Sequence, residues 1–108
     1  MQADEVIKII SEFGGPWRLE LGGADALALA DEGTRRFRVF FNQIEDAVGT
    51  WRAIADINDD LVYDETVVDR AGVLRILCAV DRLREVKDHE LDNQLKDLEH
   101  RRNLRPNT

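Results

Sequence analysis

The chain has 108 residues and a mass of 12.4 kDa, the size of one domain. Apolar residues make up 44% and charged residues 34%, which suits a water-soluble globular core and excludes wholesale disorder. No apolar run approaches the ~20 residues of a membrane helix, no secretory signal is present, and the single cysteine, Cys78, has no partner for an internal disulfide, so a reducing, cytoplasmic setting is expected.

The net charge of −7 is distributed unevenly. Residues 1–34 sum to −5, residues 35–41 to +3, residues 42–69 to −7 and residues 70–108 to +2. Most of such a surface repels a polyanion at long range, which argues against nucleic acid as partner and allows a basic one.

In chain order, Val6, Ile9, Ile10 and Phe13 recur at the helical period, with Asp4 and Glu5 in the first turn where the helix dipole favours anions. Gly14-Gly15-Pro16 ends that helix. Trp17, Leu19 and Leu21 then alternate with Arg18 and Glu20 as in a half-buried strand, and Gly22-Gly23 reads as a hairpin turn. Residues 25–30 continue as a strand with Leu27 and Leu29 inward, although alanines at 24, 26, 28 and 30 weaken the strand pattern. After a turn at Asp31–Thr34, Phe37, Val39 and Phe41 alternate with Arg36, Arg38 and Phe40, the strongest strand pattern in the chain.

Residues 43–57 admit two readings. Ile44, Ala47, Val48, Trp51, Ile54 and Ala55 fit an amphipathic helix, with Asn42 and Glu45 in capping-box spacing. Gly49 and Thr50 interrupt that pattern, and Trp51, Ala53, Ala55 and Ile57 alternate as in a strand. The helix is the favoured reading. Leu61-Val62-Tyr63 is a short apolar run, strand or tucked loop. From Glu65 onward a helix is expected, with Val67, Ala71, Leu74, Leu77, Cys78 and Val80 on its apolar face. The phase slips across Lys87–Glu90, and Leu91, Leu95 and Leu98 then form a second ridge at seam-like spacing. The expected fold is α+β: a three-stranded antiparallel meander, with 50–57 as an alternative fourth strand, packed against an N-terminal, a middle and a long C-terminal helix. Residues 1–102 form one domain and 103–108 a flexible tail.

The segment Asp56 to Asp64 resembles a degenerate EF-hand or dockerin-type calcium loop. Asp56, Asn58, Asp60 and Asp64 stand at loop positions 1, 3, 5 and 9, where a hard cation needs oxygen ligands. Two essentials fail: position 6 is Leu61 where the sharp turn needs Gly, and position 12 is Val67 where a bidentate acid is needed. The competing reading is a solvated acidic connector with Asp64 capping the next helix. His89 and His100 lie about 16 Å apart along one helix, too far to share a metal. Cys78 sits in the apolar stripe as a small hydrophobe. Trp17 and Trp51 read as core anchors. Phosphate loops, dinucleotide fingerprints, nucleophile elbows and zinc spacings are all missing, so no cofactor is called for.

The functional expectation is a non-enzymatic protein-interaction or assembly module acting by surface binding, as an inhibitor or immunity-like acidic domain would. A small enzyme or a calcium-loop module using residues 56–64 is the alternative. An unbroken helix from Glu65 to Arg101 would run ~55 Å, so it either breaks near Asp88 and folds back or projects. A projecting Leu91–Leu95–Leu98 ridge would be buried most simply by a second copy, making a homodimer. Arg36 and Arg38 share the outward face of their strand, where they would clamp an acidic partner surface, and the acidic 56–65 segment would receive a basic one.

Overall fold

A computed structural model describes residues 1–20, 25–86 and 88–104, with backbone alone for 88, 89 and 102–104. The elements are α1 (Ala3–Phe13), β1 (Arg18–Glu20), β2 (Ala26–Glu32), β3 (Arg35–Gln43), β4 (Trp51–Ile57), β5 (Asp60–Val67), α2 (Arg70–Arg84) and α3 (Asp88–Leu104). The five strands form one antiparallel meander in chain order, β1-β2-β3-β4-β5. The class is α+β, with two more strands than the three-stranded reading. The proposed Gly22-Gly23 turn lies outside the described residues.

The largest correction is in residues 43–57. β3 runs through Gln43, and residues 44–50 form a looped turn closed by the Ile44 N–H to the Thr50 carbonyl at 3.0 Å. Gly49 takes φ +82°, a left-handed conformation that no continuing helix could hold. β4 follows. Trp51, Ala53, Ala55 and Ile57 stand in register with Gln43, Phe41, Val39 and Phe37 and are at most 1% exposed. Helical periodicity here loses to pairing against the strongest strand in the chain, because that pairing buries four residues at once.

β5 pairs with β4 and carries a bulge opposite Ala55/Asp56. The hairpin between them turns on Asn58 and Asp59, both at positive φ (51° and 70°), the conformation a two-residue type I′ turn demands. α2 therefore starts at Arg70 rather than Glu65, capped by Asp69, whose Oδ1 accepts from the Gly72 N–H at 2.9 Å. Asp64 is not that cap. Gly72 is needed for close approach: a Cβ there would meet the Val67 Cβ at 3.0 Å.

The core lies between one face of the sheet and the helices. Val6, Ile9 and Ile10 of α1, and Val73, Ile76, Leu77, Val80 and Leu83 of α2, pack on Ala26, Ala28, Ala30, Phe37, Val39, Phe41 and the inward residues of β4. α1 rests on β1 and β2, and α2 on β3, β4 and β5. The expected inward residues of β2 are reversed: its alanines face the helices, at most 1% exposed, because a methyl lets α1 come close to the sheet. Cys78 is exposed, one position past the buried Ile76–Leu77 pair and rotated off the inward face. Two indoles are pinned by hydrogen bonds: Trp17 donates to Asp81 Oδ1 at 2.7 Å, and Trp51 to the Met1 carbonyl at 2.9 Å.

The C-terminal helix breaks between α2 and α3 and folds back against β5. Arg35 stabilises the break by donating to the Val86 carbonyl at 2.6 Å, placing a cation at the electronegative end of α2. The longest dimension of the fold is 39 Å, well short of the ~55 Å of an unbroken helix. α3 runs to Leu104, and residues 105–108 lie outside the described residues.

Candidate interaction surface

The strands contribute to the main core from one face of the sheet. The opposite face carries no helix among the described residues, although Leu27 and Leu29 on it are buried, and its make-up follows from strand alternation and register. Leu27, Phe40 and Ile54 lie in register across β2, β3 and β4, ending at Glu20 on β1 and Asp64 on β5. The next rank holds Arg18, Leu29, Arg38, Asp56 and Leu61, and beyond it Asp31 pairs with Arg36. An apolar centre thus sits within a charged frame. Leu27 and Leu29 are 7% and 6% exposed, Phe40 and Ile54 are half-buried, and Leu61 is exposed.

The frame is a series of cross-strand ion pairs, placed where directly opposed or diagonal side chains meet. Asp31 accepts from Arg18 at 2.8 Å and from Arg36 at 3.2 Å. Arg38 binds Asp56 through two hydrogen bonds of 2.8 and 2.9 Å, reaches Asp59 as well, and stands 5.1 Å over the Phe40 ring. Arg52 holds Asp64 with two bonds of 2.9 and 2.6 Å. The bond from Arg18, and after it that from Arg36, holds the Asp31 carboxyl below its usual range. Arg38 is held above the usual arginine value, first by its hydrogen bond to Asp56, and Arg52 likewise by Asp64. The charges on this face are therefore locked to one another.

Arg36 and Arg38 share the outward face, as their spacing implied, with their guanidinium groups turned to carboxylates of their own chain. The residues of the calcium-like segment do not converge. They lie on a β-hairpin instead of a loop between helices: Asp56 binds Arg38, Asp64 binds Arg52, and Asn58 Oδ1 accepts from the Arg36 backbone N–H at 2.8 Å. Asp60 opens β5 beyond the turn. Among the described residues no group of three or more His, Cys, Asp or Glu is placed to hold a metal ion. Leu91 is 5% exposed and belongs to the core, while Leu95 and Leu98 are half-buried against it. His100 is exposed, and the side chain of His89 lies outside the described residues.

Sequence reasoning missed the apolar centre of the open face. The available signal was in β2, where alanine and leucine alternate. Only one of these faces can lie beneath a helix, and the smaller residue permits the closer approach. Among the described residues no helix is long and apolar enough to cross a membrane. Comparison with protein families, with curated proteins and with solved structures finds no match to this chain.

Proposed function

We propose that this protein is a non-enzymatic interaction module that works by surface binding through the open face of its sheet, and that its partner is another protein, most simply a second copy of the chain. The observation that carries this reading is the row Leu27–Phe40–Ile54 in cross-strand register, framed by paired charges. An apolar centre with a polar rim is the usual layout of a protein interface.

Charge favours the second copy. The molecule carries −7 overall, so two copies repel across most of their surface. The open face is balanced: Arg18, Arg36, Arg38 and Arg52 stand against Glu20, Asp31, Asp56 and Asp64. Two such faces meet around a two-fold axis without net repulsion. A basic client, of the kind an inhibitor or immunity-like domain would cover, is the second reading. It is supported by the acidic hairpin tip, where Asp59 is 85% exposed. Nucleic acid is disfavoured, since Arg36 and Arg38 already neutralise carboxylates. A lone exposed cysteine suits a reducing, cytoplasmic setting.

Sedimentation equilibrium from about 10 µM to 1 mM tests the reading. The wild-type chain is expected to self-associate reversibly. Phe40→Asp and Ile54→Asp, each at a half-buried outward position, should weaken association at least about tenfold while leaving the unfolding midpoint near the wild-type value. A wild-type chain that sediments as a monomer throughout contradicts the second-copy reading.

A further inference from the structure

We infer that the cavity walled by β5, α2 and α3 binds a small organic carboxylate, its head group on Arg82 and the Tyr63 hydroxyl and its apolar body on Ala79, Leu83 and Leu98. This cavity, of about 360 Å³, lies on the helical side of the sheet, so the inference stands apart from the reading of the open face. Its volume is within the range of small-ligand sites, roughly 300–1,000 Å³.

Arg18, Arg36, Arg38, Arg52, Arg70, Arg75, Arg84 and Arg101 each bind a carboxylate of the chain, and Arg35 binds a backbone carbonyl. Among the described residues, Arg82 is the arginine with neither an ion pair nor a hydrogen bond. In a chain with a surplus of seven acids, an arginine left without a partner on a cavity wall is notable. The half-buried Tyr63 lines the same cavity, and its hydroxyl has no hydrogen-bond partner among the described residues. Two donors therefore face a concave space whose remaining wall includes three apolar side chains.

Charge balance selects the ligand class. Arg101 also lines the cavity, and it is neutralised by Asp97 at 2.9 Å. Among the described residues of the wall that leaves one uncompensated cation, matched to a monoanion, while a phosphate dianion would meet the Asp97 carboxylate. The planar guanidinium fork of Arg82 fits the two oxygens of a carboxylate. The Tyr63 phenol stays protonated at neutral pH and donates.

The test is a titration of the intact chain with hexanoate, read by NMR on the methyl signals of Ala79, Leu83 and Leu98. Hexanamide serves as the uncharged twin and inorganic phosphate as the bare anion. Hexanoate is expected to give saturable shifts at these methyls, and the amide and phosphate none at equal concentration. Arg82→Gln should weaken hexanoate binding about tenfold, and Tyr63→Phe about threefold, from the loss of the ionic contact and of the single hydroxyl hydrogen bond to the carboxylate. Arg82 is exposed and unpaired, so its replacement leaves the fold intact, as an unchanged amide spectrum would verify. Absence of saturable shifts up to ~20 mM hexanoate overturns the inference. So does binding that survives Arg82→Gln unchanged, or phosphate that competes as well as hexanoate.

Discussion

Trp17 is 6% exposed, and its only polar atom is met by Asp81, which also accepts from Arg84 at 3.1 Å. Asp81→Ala orphans that indole N–H and should cost about 1–3 kcal/mol, while Asp81→Asn, which keeps an acceptor oxygen, should cost less. Urea unfolding followed by tryptophan fluorescence measures both, and an Asp81→Ala chain as stable as wild type would refute the pairing. Tyr63 is the only tyrosine. Burial raises its pKa, Glu65 raises it further, and Arg101 and Arg82 oppose the shift. Its phenol should therefore titrate above the ordinary value of about 10 when followed by ultraviolet absorbance, and return to that value in urea. Between the unfolded and folded pKa the native chain holds a proton that the unfolded chain releases, so stability declines as pH rises through this window. A native midpoint at or below the ordinary value would contradict the burial. At this scale the sequence was legible where residue type alone decides, as at Trp17 and Trp51. It misled where helix phase decides: Cys78 neighbours Leu77 in sequence yet points away from the core.

At the level of elements, α1 and β3 could be read from periodicity because their apolar spacing agrees with their burial, whereas β2 was legible as a strand but with its two faces exchanged. β4 could not be read this way. Its residues satisfy a helical and a strand template equally, and the choice is made by β3, a partner remote from any local window. The same non-local pairing extends the sheet into β5, where the sequence shows only acids around Leu61-Val62-Tyr63. The turn explains that acidity: Asn58 and Asp59 hold positive φ, and Asp56 and Asp64 answer Arg38 and Arg52 across the strands. What resembled a cation loop is half of an ion-pair ladder, and the arginine half lies on neighbouring strands. The fold-back of α3 makes a separate prediction. Leu91 is packed as core, so Leu91→Ala should cost about 2–4 kcal/mol in urea unfolding at a concentration where the chain is monomeric. A projecting helix would lose less than about 0.5 kcal/mol.

For the whole molecule, the sequence shows a net charge of −7 but not where it is neutralised. The sheet register shows that it is balanced across one face, where four arginines and four carboxylates surround Leu27, Leu29, Phe40 and Ile54. Leu91 is buried in the core while Leu95 and Leu98 are packed partly against it, and for the proposed self-association the balanced face opposes a second copy least. The proposed interface is therefore the middle of the sheet, in place of the last helix that the leucine spacing suggested. The most direct test is a dilution series of backbone amide NMR spectra from about 1 mM to 20 µM. The account predicts concentration-dependent shifts concentrated at Leu27, Leu29, Phe40 and Ile54 and their strand neighbours, with α3 unaffected. Shifts centred on Leu91, Leu95 and Leu98, or no concentration dependence at all, would contradict it.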